Sequence, residues 1–128
     1  MKQKLFYLAA FVAVVVAFCS CSNVQRVIKS GDAELIYERG VLFYQAEKWQ
    51  KALALLNHCE PYFKGTLRED TIAFYKARSH FKEGDYMSAS EQLDDFRRSF
   101  GRSVFIEDAE AMFAVSLFNM CPEPERDQ

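Results

Sequence analysis

Slid along itself by 37 residues, the chain lays like on like. Tyr37 falls on Phe74, Gly40 on Ala77, Tyr44 on Phe81, Trp49 on Tyr86, Ala52 on Ala89, Leu56 on Leu93 and Phe63 on Phe100. A third register opens with Ala77 on Ala114 and Phe81 on Phe118. Size class kept at a fixed spacing marks a repeated supersecondary unit. Breaks near Lys48, at 64–66, at Gly84-Asp85, at 101–103 and after Cys121 divide the chain into segments with helical period, and no run alternates as a strand would. The spacing predicts helices over 33–46, 49–63, 69–83, 86–99 and 104–120.

Paired helices explain the pattern. Gly40 and Ala77 on the first helix of each pair, and Ala52 and Ala89 on the second, are small enough for two backbones to meet closely. Trp49, Leu56, Tyr86 and Leu93 then fill the space between hairpins. An aromatic residue three places before an alanine, in "WQKA" and "YMSA", resembles the tetratricopeptide repeat. That resemblance implies an all-α, TPR-like helical hairpin array, an α-solenoid of about two and a half repeats. The array occupies 32–120, with repeats at 32–67 and 69–103, a half repeat at 104–120 and a flexible tail at 121–128. A tetratricopeptide unit is about 34 residues long, so each copy here has about three extra residues in its loop.

The first residues follow a different rule. Lys2 and Lys4 precede an apolar run of 14 residues, 5–18, which as a helix spans about 21 Å and falls short of a bilayer core of roughly 30 Å. This is the pattern of a secretory signal, with a short uncleaved anchor as the alternative. Its ending, Phe18-Cys19-Ser20-Cys21, resembles a bacterial lipoprotein signal. The resemblance implies a signal peptide at 1–20, diacylglycerol on the thiol of Cys21, and a polar tether over 21–31. Two or more acyl chains, at about 0.8 kcal/mol per buried methylene, are enough for stable anchoring.

The whole chain has 16 basic and 18 acidic residues, and removal of Lys2 and Lys4 with the signal takes the net charge from −2 to −4. This disfavours nucleic acid, whose phosphates require a basic face. Cys59 and Cys121 make neither a metal-ligand spacing nor a closely spaced redox pair, and read as buried free thiols. His58 beside Cys59 lacks a third metal ligand, His80 has no neighbouring carboxylate in sequence to make it catalytic, and the Asp94-Asp95/Arg97-Arg98 run reads as a solvated face. No phosphate loop, triad or zinc spacing is present, so no cofactor and no enzymatic activity is expected.

A lipid-type cysteine, a short polar stretch, and then "YERGVLFYQAEKWQKALALL" and "AFYKARSHFKEGDYMSASEQLDDFRRSF" together resemble the BamD (YfiO) lipoprotein family of outer membrane protein assembly, over roughly 19–120. The family implies a location on the periplasmic face of the outer membrane, held there by lipid. It implies partners among the barrel-assembly subunits and unfolded outer membrane protein precursors. Family members carry more repeats, and a shortened version of the scaffold is the expectation. A periplasmic lipoprotein of the same architecture, serving glycan capture or envelope organisation, is the alternative.

In such stacks the first helices line the concave face. By register, Tyr37, Val41 and Tyr44 share it with Phe74, Arg78 and Phe81, then with Val115 and Phe118. An aromatic groove with an occasional cation suits an extended peptide that ends in an aromatic residue and a carboxylate. The alternative is that individual rings simply pack between helices.

Overall fold

The computed structural model describes the backbone of residues 1–122 and the side chains of 1–12 and 23–122. Six α-helices follow one another: α1 (Lys2–Lys29), α2 (Ala33–Gln45), α3 (Trp49–Cys59), α4 (Glu69–Lys82), α5 (Tyr86–Ser99) and α6 (Ile106–Met120), with a 3-10 turn at Glu60–Phe63. No strand occurs among the described residues. The five expected helices of the array are present, and the fold is all-α and TPR-like. The one expected at 49–63 changes to a 3-10 turn at Glu60, where Pro61 removes a backbone donor. Of the expected tail at 121–128, residues 123–128 lie outside the described residues.

The repeat is written in hydrogen bonds as well as in letters. In the α2–α3 turn, Glu47 N donates to Tyr44 O (3.0 Å) and Lys48 N to Phe43 O (2.9 Å). In the α4–α5 turn, 37 residues on, Gly84 N donates to Phe81 O (3.1 Å) and Asp85 N to His80 O (3.0 Å). The links between hairpins match too. Thr66 N donates to Phe63 O (3.1 Å) and Ser103 N to Phe100 O (2.9 Å), while the hydroxyls of Thr66 and Ser103 each accept from the amide two residues on, at 3.3 Å. These hydroxyl-closed turns fix the link between one hairpin and the next.

Packing follows the small residues. Ala52, Ala77 and Ala89 are fully buried, and a Cβ on Gly40 would lie 3.1 Å from Leu56 Cδ2. One core gathers Ile36, Leu55, Leu56, Cys59 and Ile72; a second gathers Phe74, Leu93, Phe96 and Ala109, and Tyr75 touches both. Leu56 and Leu93 fill these cores as expected, but Trp49 and Tyr86 stay half-buried and close the turn of their own hairpin instead. Trp49 meets Tyr44 edge-on at 5.5 Å, and Tyr86 meets Phe81 in the same way at 5.6 Å.

Three surface expectations change. Residues 24–29 are helical rather than a loose tether, because Val24, Val27 and Ile28 fall on one side of α1 and pack against the first core. Cys59 is buried, its thiol pushed up to about 11 by that burial, whereas Cys121 is exposed, and the two are free thiols. The Arg97 guanidinium lies 4.5 Å over the Phe113 ring and so ties α5 to α6, while its neighbour Arg98 pairs with Asp94 on the solvated side. Among the described residues, no helix is long and apolar enough to cross a membrane.

One turn carries visible strain. Glu47 sits at φ 59°, in the left-handed region where its counterpart Gly84 sits at 77°. A side chain there costs about 1 kcal/mol relative to glycine. Glu47→Gly is therefore expected to stabilise the fold by about 0.5–1 kcal/mol, read as a raised urea midpoint at unchanged slope.

Candidate functional site: an aromatic groove with two cations

The site is built on α4. Residues 74, 78 and 81 are spaced four and three apart, so one stripe of that helix carries Phe74, Arg78 and Phe81. The loop closed by Ser103 brings the start of α6 across from them, and Ser103 Oγ donates to Asp70 Oδ2 at 2.7 Å to hold the two helix starts together. The result is a pocket of about 240 Å³ lined by Phe74, Arg78, Phe81 and Lys82 of α4 and Asp108, Ala111 and Met112 of α6.

The pocket has a rigid floor. Phe74 is 1% exposed and stacks on Phe105 at 4.5 Å with its plane tilted by 7°. Behind Arg78, the Tyr44 ring stacks on Tyr75 at 3.9 Å. The Tyr44 hydroxyl is buried and has no hydrogen-bond partner, and burial raises its pKa. Arg78 stands close enough to favour the phenolate, first by its charge and then as a neighbouring donor, which offsets part of that rise.

Charge is available at the mouth. Several ion pairs lie elsewhere: Arg68 with Glu34, Lys76 with Glu60 at 2.7 Å, and Asp94 with Arg97 and Arg98. Arg78 and Lys82, one turn apart on α4, are left facing the groove with Asp108 across from them. A half-buried Arg78 and an exposed Lys82 beside an apolar floor are suited to a ligand that offers a ring and a carboxylate.

The eight expected groove residues divide. Phe74, Arg78 and Phe81 meet in the pocket, and Tyr44 lies behind it. Val115 and Phe118 continue the stripe of Asp108 and Ala111 along α6, 45% and 79% exposed. Tyr37 does not join them: it packs on Phe63 at 5.3 Å beneath the Arg68 guanidinium, at the other end of the first hairpin. Val41 is half-buried on α2 and lines no part of the pocket. Lys82, Asp108, Ala111 and Met112 were not anticipated, although extending the heptad stripe of α6 back from Val115 leads to Ala111 and Asp108. His80, read as lacking a carboxylate neighbour in sequence, has Asp85 Oδ2 at 3.4 Å. A hydrogen bond from Ser88 is the main cause that lowers the Asp85 pKa. Among the described residues, no group of three or more His, Cys, Asp or Glu side chains is placed to hold a metal. Cys21, the expected lipidation residue, lies outside the residues whose side chains are described.

Fold and groove together define a TPR-like helical repeat. The chain is 24% identical over 128 residues to a protein of Aquifex aeolicus (strain VF5) described as "Putative outer membrane protein assembly factor BamD"; the match covers 94% of this chain and 40% of that protein. The chain thus spans well under half the length of this distant relative. No family model matches the chain. No solved structure matches it.

The buried hydroxyl gives a test of the groove wall. Tyr44→Phe removes an unpartnered polar atom and keeps the stacked ring, so thermal unfolding is expected to show a gain of about 1 kcal/mol.

Proposed function

We propose that this chain is a lipid-anchored scaffold of outer membrane protein assembly that binds extended β-barrel precursors and acts without a catalytic step. The observation that carries this reading is the BamD similarity, which runs through nearly the whole chain, repeat array included. The pocket supplies the matching chemistry. An aromatic side chain laid against Phe81 and Met112 would contribute about 1.5–3 kcal/mol by burial, and a carboxylate at Arg78 about 1.5–3 kcal/mol by a charged hydrogen bond. The barrel-assembly subunits are the proposed protein partners, and the periplasmic face of the outer membrane is the proposed location.

The anchor gains a mechanical meaning from α1. Cys21 precedes the buried Val24 by three residues, one helical turn. Lipid at Cys21 would therefore hold the first hairpin against the bilayer and aim the groove, instead of leaving the array on a loose leash.

Affinity purification of the tagged full-length protein from solubilised membranes tests the partnership. Barrel-assembly proteins and precursors are expected with the wild type, and precursors are expected to be lost with Arg78→Glu; recovery of none by a folded wild type rejects the proposal. The anchor has its own test. Cys21→Ala is expected to abolish labelling by radioactive palmitate, and undiminished labelling would overturn the assignment.

A further inference from the structure

The link before α2 has the same build as the link before α4. Ser30 N and Ser30 Oγ both donate to Val27 O, at 3.2 and 2.6 Å, and the hydroxyl accepts from Asp32 N at 3.4 Å. Thr66 N and Thr66 Oγ1 both donate to Phe63 O, at 3.1 and 2.6 Å, and that hydroxyl accepts from Arg68 N at 3.3 Å. The α1 helix thus stands to α2 as α3 stands to α4, antiparallel and packed beside it. Its last residues lie at the link edge of the array, and its earlier ones run toward the opposite edge, that of the α2–α3 and α4–α5 turns.

The apolar stretch of α1 therefore leaves the array at the turn edge. Cys21 lies eight residues before Lys29, a rise of about 12 Å, whereas α2 with its 13 residues rises about 20 Å. The unbroken helix passes the turn edge a few residues before Cys21, and a lipid on that thiol would leave from the same side. Beyond it, the consecutive Leu5, Phe6, Tyr7 and Leu8 point all round the helix, and all are exposed. A helix that is apolar all round belongs in lipid or in a protein core, and the array offers these residues no core.

The turn edge itself carries uncovered apolar side chains. Leu42 near the end of α2 is 55% exposed, Met87 at the start of α5 is 70% exposed, and Phe118 in the last turn of α6 is 79% exposed. Ser90 Oγ donates to Met87 O at 2.9 Å and meets Met120 Sδ at 3.5 Å, so the end of α6 lies beside the start of α5. Trp49 and Tyr86, half-buried at the same edge, are of the residue types that favour the boundary between lipid and water. The exposed Lys48 and Lys82 have stems long enough to keep their charge among headgroups. Of the acids there, Glu83 accepts from Gln50 Nε2 at 3.0 Å and Asp85 from Ser88 N at 3.1 Å, while Glu47 stands exposed.

We infer that the turn edge is a bilayer-contact surface, on which Leu42, Met87 and Phe118 enter the lipid boundary and the helices of the array stand upright. This orientation rests on the anchored reading above and adds to it the edge that faces the lipid. Leu67 and Val104, exposed apolar residues of the link edge, then lie a helix length away, in water.

Single tryptophans in a Trp49→Phe background read the contact. The full-length protein, purified from membranes, is reconstituted in phosphatidylcholine vesicles with or without bromine on the acyl chains. Met87→Trp and Phe118→Trp are expected to lose about half or more of their emission to the brominated lipid, and Leu67→Trp and Val104→Trp to keep theirs. All four sites are exposed, and matched thermal unfolding checks that each variant has folded. Quenching at the link edge instead, or at neither edge, in protein that floats with the vesicles would overturn the orientation and leave the anchor standing. A wild type that does not float with the vesicles would reject the anchored reading and the orientation together.

Discussion

The architecture turns on how closely two helix backbones meet at Gly40. Leu56 Cδ2 sits 3.1 Å from the place a Cβ would take there, and Leu55 Cβ sits 3.4 Å away. A larger residue would have to push α3 outward or force leucines in a packed core out of their rotamers. One hairpin later Ala77 is fully buried against Ala89 and Leu93, so the same close approach is reached with one more methyl. Closeness at the middle of the hairpin sets what happens at its end, where Tyr44 reaches Trp49 and Phe81 reaches Tyr86 in nearly identical edge-on geometry. Small residues thus dictate the distance, and aromatic edges lock the angle.

From hairpin to hairpin, the coupling passes to stacked rings. Tyr44 on Tyr75 ties the first unit to the second, and Phe74 on Phe105 ties the second to α6. Offset stacking and burial favour both pairs, but the first leaves the Tyr44 hydroxyl without a partner. An unpartnered buried donor is uncommon enough to need a reason. Here the ring is set by the stack, the hydroxyl goes where the ring takes it, and Arg78 nearby is held on the groove side by the α4 stripe. The wall of the groove and the joint between hairpins are therefore the same residues, and a change to either alters both.

Much of this was legible because a repeat states each rule twice. Helix extents follow within one or two residues for α2, α4, α5 and α6, and the buried state of Ala52, Ala77 and Ala89 follows from their small-residue register. Register alone could not tell rings that face the groove from rings that join hairpins. Tyr37, Tyr44 and Phe74 share one phase, yet Tyr37 ends on Phe63 and Tyr44 on Tyr75, because the neighbour across the interface decides. The end of α1 departs from expectation for a different reason. Polar Gln25, Arg26 and Lys29 dominate its composition, while Val24, Val27 and Ile28 carry a short helical stripe that the turn-prone Ser30-Gly31 ending obscures. Glu47 hides its left-handed turn because the residue type gives no sign of it, and only the register with Gly84 points to that geometry.

The two ends of the array are consequently unlike. At the first, α1 lays Val24, Val27 and Ile28 on the core that α2 and α3 form, so the apolar side of the first hairpin is covered. At α6 the residues equivalent to Gly40 and Tyr44, which are Ala114 and Phe118, are exposed. Each repeat in a stack gains its stability from its neighbours, and among the described residues α6 rests chiefly on α5 while its entry loop reaches α4. The packing is strengthened locally: Arg97 of α5 covers Phe113, Ser103 holds Asp70 of α4, and Phe105 stacks on Phe74 of α4. These contacts sit in the half of α6 and its entry loop that forms the groove, while the outer half carries the exposed apolar residues. The helix is thus anchored along the half that shapes the pocket, and its exposed apolar residues lie along the other half.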